Sequence, residues 1–303
     1  MMKLQQLKQI WTLAAGLLLL GASSGYAAMH YAYENFDTGL GKWTTVTTYN
    51  HVEGFDIGYS GTGYASGNPG EVGGTWAYIN KKGSGATAPK MAHIVDKVSY
   101  LPSAGGALVS LNMPLHATGM MRLNDGVSPY PADCVVLVGF FKEGIVTGTT
   151  YRDALAENIS LKIVPPAYNS QMWRFQWCGP DTSTSPIKTT VPDTSWNATP
   201  LRFDFTWTPS GLGNGSGTVS GFIQKPGDGI LVLPPWTLGA KTRRNFDSFG
   251  IWAQSSNGTD ITHTNTEWFD SMQYTVAPEP SAAWLTPLGG GLLLLIRRML
   301  RRK

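Results

Sequence analysis

Leu201-Arg202-Phe203-Asp204-Phe205-Thr206-Trp207 is the most regular stretch of the chain. Apolar and polar residues alternate without a break. Successive side chains of an extended strand point to opposite faces, so Leu201, Phe203, Phe205 and Trp207 share one side and Arg202, Asp204 and Thr206 the other. This is the pattern of an antiparallel strand with one face in a core and one in water. Cys134–Phe141 is apolar almost throughout, and it reads as a central strand covered on both faces. Glu267-Trp268-Phe269-Asp270-Ser271-Met272-Gln273-Tyr274 alternates again and sets Trp268, Asp270, Met272 and Tyr274 together.

Outward from these, further β-type runs are His30–Phe36, Trp43–Tyr49, Thr75–Asn80, Ala92–Tyr100, Ala107–Met113, Asn158–Val164, Met172–Cys178, Gly217–Gln224 and Ser248–Gln254. Gly/Pro/Asn/Ser stretches separate them. Gly58–Gly74 and Pro180–Pro200 read as long loops, and Pro209–Gly215 as a hairpin turn. About a dozen short strands predict an all-β domain over residues 28–276: an antiparallel β-sandwich, jelly roll or concanavalin-A-like. Two tandem sandwiches joined by Pro180–Pro200 are the alternative. No fixed-period repeat argues for a propeller or a β-helix.

The charge sits mostly at the ends. The chain has 23 Lys+Arg and 20 Asp+Glu; without Lys3, Lys8, five basic C-terminal residues and Glu279, 16 and 19 remain. The middle is therefore near −3, and the basic balance of the whole chain is no argument for nucleic acid as a partner.

At the N-terminus, Lys3 and Lys8 precede an apolar run from Ile10 to Leu20, and Gly25-Tyr26-Ala27 follows. This three-part layout predicts a signal helix over residues 1–27, cut by signal peptidase after Ala27. At the C-terminus, Pro278-Glu279-Pro280 stands before an uncharged stretch, Ala282–Ile296, and the basic residues Arg297, Arg298, Arg301, Arg302 and Lys303. At about 1.5 Å per residue the uncharged stretch reaches ~22 Å, and snorkelling arginines extend it toward a transmembrane helix. The basic cluster then stays in the cytoplasm, and the middle lies outside. The two prolines keep the preceding peptide extended and solvated.

Pro278-Glu279-Pro280, the short Gly/Leu-rich span and the terminal arginine block resemble the sorting signal of PEP-CTERM proteins. Ala277 stands where that family often has Val. The resemblance implies that residues 277–303 are a sorting signal, that exosortase removes them, and that the product is secreted or held at the cell surface of a Gram-negative-type bacterium. The membrane is then a transient partner through the C-terminal helix. The resemblance covers the tail alone and is silent on the domain before it.

The domain carries little catalytic signal. A glycoside hydrolase needs two carboxylates flanking the scissile bond, and the Glu-x-Asp-x-x-Glu run usual in concanavalin-A-like glycosidases is missing. Glu34 and Asp37, like Glu53 and Asp56, have an i, i+3 spacing that puts them on opposite faces of a strand. Gly-x-Ser-x-Gly occurs only at Gly21–Gly25, inside the signal segment. The expectation is a protein that is not an enzyme; a secreted hydrolase ranks third.

Binding fits better. Exposed indole and phenol rings stack on the C–H faces of sugars. Most tryptophans of the middle fall on strands and belong in a core. Trp196 and Trp236, with Tyr59, Tyr64 and Tyr168, fall in loops and are the candidate platform for an extracellular polysaccharide. The alternative is a structural or adhesive surface protein with no small ligand. Jelly-roll carbohydrate-binding modules often tie their first strand to their last through calcium; that likeness makes Glu34 and Asp270 candidate ligands of a structural calcium ion. Cys134 and Cys178 either form one disulfide in an oxidising exterior or stay as two buried thiols.

Overall fold

In the computed structural model, Leu201, Phe203, Phe205 and Trp207 are all within 1% of full burial. Arg202 and Thr208, between and beyond them, are exposed. The alternation thus has the orientation expected of it. The structure describes residues 30–48, 58–61, 65, 70–78, 91–97, 109–126, 134–142, 157–164, 166, 172–181, 183–243, 245–255 and 263–277. The expected signal segment with Ala27, the expected sorting motif at Pro278–Pro280, the expected C-terminal helix, Tyr64 and Tyr168 lie outside the described residues. Among the described residues, no helix is long and apolar enough to cross a membrane.

The described strands run, in chain order, β1 (His30–Glu34), β2 (Thr44–Thr48), β3 (Gly58–Ser60), β4 (Glu71–Tyr78), β5 (Met91–Lys97), β6 (Val109–Ser110), β7 (Leu115–Gly126), β8 (Cys134–Phe141) and β9 (Asn158–Val164). Then follow β10 (Arg174–Gly179), β11 (Ser183–Thr184), β12 (Thr189–Thr190), β13 (Pro200–Pro209), β14 (Gly217–Gln224), β15 (Ile230–Leu238), β16 (Asn245–Phe246), β17 (Ser248–Ser255) and β18 (His263–Val276). Two eight-stranded antiparallel sheets result. The first has the order β15-β14-β13-β7-β18-β4-β3, with β1 also on β18. The second has the order β11-β10-β9-β8-β17-β5-β2, with β12 also on β10. β6 and β16 pair separately.

The sheets face each other across one aromatic core. Phe140 of β8 meets Tyr274 of β18 edge-on, ring centroids 5.9 Å apart, and Trp177 of β10 meets Phe205 of β13 at 5.9 Å. The chain crosses between sheets at β17 to β18, and this ribbon is flanked by two others. β4 and β7 pair with β18, while β5 and β8 pair with β17.

Several expectations need correction. Pro180–Pro200 is not a linker between tandem sandwiches. It holds β11, β12 and a 3-10 turn, Thr194–Trp196, and β13 after it pairs with β7 before it. Gly58–Gly74 contains β3 and the start of β4. Within Ala107–Met113, Val109–Ser110 is strand and a turn follows. Besides the short β3, β11, β12 and β16, two long strands were not foreseen, β7 and β15. β7 hides its alternation because two of its inward residues are Ala117 and Gly119, which carry little apolar signal. Gly119 is required there: a Cβ would come within 2.7 Å of Met272 Sδ and 2.9 Å of the Phe203 ring. β15 contains Pro234 and Pro235, which a central strand rejects but an edge strand accepts.

The phase of β18 also differs. A bulge between Asp270 and Gln273 shifts the register, with Ser271 at φ 51°. Phe269 points into the core before it, and Met272, Tyr274 and Val276 after it. Trp268 is half-exposed, on neither part of that buried series. A bulged residue adds one position and flips the side chains beyond it.

The cysteines do not pair. Cys178 is a free, fully buried thiol. It lies opposite Ser160, and Ser160 opposite Gly139; Cys134 is five positions further along β8. Two strand spacings and five residue rises separate the Cα atoms by roughly 19 Å, against at most ~7 Å for a disulfide.

Candidate functional site

The apolar alternation of β15 and the turn-rich segment after β10 meet at one rim of the sandwich. There the edge of the first sheet approaches the edge of the second. β15 supplies Leu233, Pro234, Pro235 and Trp236; the other wall comes from β10 and the Ser185–Thr189 segment. The cleft between them encloses ≈ 50 Å³. That is far below the ~300–1,000 Å³ of an enclosing ligand pocket. The geometry suits one face of a flat group resting on the rim.

The cleft is braced by hydrogen bonds. Trp177 donates its indole N–H to Pro234 O at 3.0 Å, which ties the two sheet edges together. Ser185 receives the Trp177 N–H on its hydroxyl at 3.1 Å and donates that hydroxyl to Ile187 O at 3.0 Å. Gln176 donates to Ser185 O. The Gln176 carbonyl oxygen and the Thr189 hydroxyl make no hydrogen bond among the described residues, so they are free to serve a ligand. Ile187 is 54% exposed, and Pro186, Pro234 and Pro235 are exposed around it. Trp236 is half-buried. Its six-membered ring lies against Gly179, where a Cβ would stand 3.2 Å from it; the missing side chain lets the indole lie close to β10.

Of the aromatic candidates among the described residues, Tyr59, Trp196 and Trp236, the structure brings Trp236 to this cleft. Trp196 is corrected: it is 2% exposed and part of the core, so it offers no ring to a ligand. The reason is the 3-10 turn, Thr194–Trp196. Asp193 caps it by accepting from Ser195 N at 2.7 Å, and the turn directs the indole inward. A hydrogen bond from the Ser195 side chain, and then this one from its backbone, hold the Asp193 carboxyl below the ordinary value of 3.8. Tyr59 lies in β3, opposite Val72. The contributions of Gln176, Ser185 and Thr189 were not foreseen, because no sequence spacing links them to Trp236; only the sheet edges do.

At the proposed calcium position, β1 does pair with β18, but Glu34 stands opposite Met272. The Glu34 carboxylate accepts from Phe36 N at 3.2 Å and lies against Gly41. Asp270 is fully buried and accepts from Ser271 N. One step beyond Val72–Phe269 on the β4–β18 ladder, Glu71 comes opposite Asp270, and it too is fully buried. No substrate reaches two such carboxylates, so they are not a hydrolase pair. Among the described residues, no three acidic, histidine or cysteine side chains gather around one point. The donor types suit calcium, but its six to eight ligands would have to include backbone carbonyls and water.

No protein-family model matches the chain, and neither does any curated protein. Similar solved structures include the lectin UEA-II complexed with galactose, at 9% identity over 84% of this chain and 100% of that one, TM-score 0.46. The CBM2 module of the evolved Dit of Lactobacillus casei BL23 phage J-1 is similar at 11% identity over 83% and 99%, TM-score 0.47. A protein of unknown function from Shewanella oneidensis MR-1 is similar at 12% identity over 86% and 94%, TM-score 0.47.

Proposed function

We propose that the chain is an exported surface protein whose β-sandwich binds glycan, with the rim cleft at Trp236 as the sugar site. The observation behind the site is a half-buried indole braced on Gly179 beside two unengaged atoms, the Gln176 carbonyl oxygen and the Thr189 hydroxyl oxygen. A sugar ring would stack its C–H face on the indole, donate a hydroxyl to the Gln176 carbonyl oxygen and exchange a hydrogen bond with the Thr189 hydroxyl. The jelly-roll form of the sandwich belongs to the same reading, supported by the β17–β18 ribbon with an antiparallel ribbon on either side, β4–β5 and β7–β8. The ends supply the address. Signal peptidase cuts after Ala27, exosortase acts at Pro278-Glu279-Pro280, and the product works in the extracellular polysaccharide of its host. A calcium ion at the β1–β18 junction, near Glu34 and Asp270, is part of this proposal.

The test is binding of the full-length chain, in mild detergent, to the host's own exopolysaccharide, with and without EDTA. Saturable binding that falls about tenfold or more in Trp236→Ala is the expected result; loss of one stacked ring has this order of effect. Unchanged binding in Trp236→Ala overturns the site. Loss of binding or of thermal stability with EDTA supports calcium, and indifference removes it.

A further inference from the structure

Away from the cleft, the outer face of the first sheet gathers aromatic, hydroxyl and cationic side chains that the cleft does not use. The register sets them in rows. Tyr33, Gln273, Thr118, Asp204, Phe222 and Val232 follow one another across β1, β18, β7, β13, β14 and β15. Tyr31, Thr275 and His116 form the start of the next row. Tyr31 and Tyr33 are 58% and 51% exposed, and two residues apart on one face their Cα atoms stand about 7 Å from each other.

Arg202 is the other end of this surface. Its guanidinium donates to Asp204 Oδ2 at 3.2 Å and to Thr118 Oγ1 at 3.4 Å, and it lies 5.9 Å from the Phe222 ring centroid. Two of its five N–H groups are engaged, which leaves three for a ligand. Its side chain is 48% exposed. Asp204 is held from its other oxygen by His116 Nε2 at 3.1 Å. Arg122 lies diagonally from Arg202 across the β7–β13 pair, about 7–8 Å away at the Cα atoms. Arg202 and His116 therefore flank the Asp204 carboxylate, and Arg122 lies beyond Arg202 on the same face, on a domain that is net acidic overall.

We propose that this face binds an acidic polysaccharide, independently of the Trp236 cleft. Arg202 is pre-positioned for a ligand carboxylate. A planar guanidinium fixed by Asp204 and Phe222 loses little freedom when it takes a bidentate partner. From Asp204 to Tyr33 is three strand spacings, about 14 Å, the reach of an oligosaccharide rather than of one sugar. Tyr31 and Tyr33 supply rings for stacking at the far end.

The probes are polygalacturonate and its fully methyl-esterified form, which keeps the backbone and removes the charge. Binding of the full-length chain in mild detergent is measured by titration at low and at 0.5 M salt. Expected is saturable binding of the acid form, weakened about tenfold or more by Arg202→Gln, by Tyr33→Ala and by the high salt, with Trp236→Ala unchanged. Thermal midpoints of the variants check that each still folds. Equal binding of the ester, or full binding by a folded Arg202→Gln, overturns the proposal. A loss in Trp236→Ala alone would assign the ligand to the cleft and overturn it as well.

Discussion

β13 and β8 are both inner strands of eight-stranded sheets, and each sends every second residue into the shared core. In β13 the residues between, Arg202, Asp204 and Thr206, meet solvent at least in part. In β8 the residues between, Leu137, Gly139 and Phe141, are as buried as the core itself. Their neighbours on that outer side, Trp252, Asn158, Ser160 and Cys178, are buried too. The first sheet is thus half wet, and the centre of the second is dry on both faces. Alternation against a continuous apolar run in sequence is the local trace of that difference.

The sharpest break would come at Trp252, on the outer side of the second sheet. Its ring lies 4.5 Å from that of Phe141. Trp252→Ala should cost about 3–5 kcal/mol, as a core truncation does, while Thr206→Ala on the outer side of the first sheet should stay within about 0.5 kcal/mol. Urea unfolding measures both. Equal, small effects would mean that the second sheet's outer face is not dry. Trp252→Phe should be milder than the alanine variant, because the buried Trp252 indole N–H meets no acceptor among the described residues.

Next in size are the two tryptophans that the sequence placed together. Trp196→Ala should lose about 3 kcal/mol of stability. Trp236→Ala should lose less than about 1 kcal/mol, as a half-buried residue, and show its effect in binding. A reversal of the two would exchange their roles. Smaller again is Gly139→Ala. The added Cβ would fall on Ile159 O and 2.7 Å from Ser160 Cα, both backbone atoms, at a cost of about 1–3 kcal/mol. A neutral result would show that β8 and β9 can separate slightly without loss.

How far sequence reached follows from the same contrast. Asn158–Val164 and Gly217–Gln224 were legible to the residue, since β-branched or alternating residues filled them and turn residues closed them. β7 was not legible, because Ala117 and Gly119 face the core without an apolar signature. β18 was legible as a strand but not in phase, because a bulge at Ser271 leaves no mark in hydropathy. For the site, Trp236 could be singled out as a tryptophan outside the recognised strand runs. Trp196 looked the same, and only the capped turn that buries it tells them apart. The row from Tyr33 to Phe222 was invisible, since polar residues at alternate positions are what any wet face shows. Register alone aligns them.

The smallest expected effect concerns Cys178, for which sequence left two states open. With no disulfide partner in reach, a reducing agent should leave the thermal midpoint unchanged. A pH series then tests the dry face directly. Burial pushes the Cys178 thiol above its ordinary value of 9.0, and the nearby Lys162 charge and the Asn158 hydrogen bond pull back less strongly. Above pH 9, up to its folded value, the unfolded chain has released this proton and the native chain has kept it. The native state then binds more protons, so the thiol's contribution to stability falls as pH rises. Lys162 has the opposite sign: burial lowers its value from 10.5, so the unfolded chain holds more protons on approach to 10.5 and its contribution rises with pH. Wild type carries both, and Cys178→Ala keeps only the second. The variant is less stable at neutral pH because of its cavity, but between pH 9 and 10 its stability should fall less steeply than wild type's, by up to about 1.4 kcal/mol per pH unit. Urea unfolding at each pH measures the two slopes. Parallel curves would mean that solvent reaches the Cys178 thiol in the folded protein, and the second sheet would then be wet where its burial says it is dry.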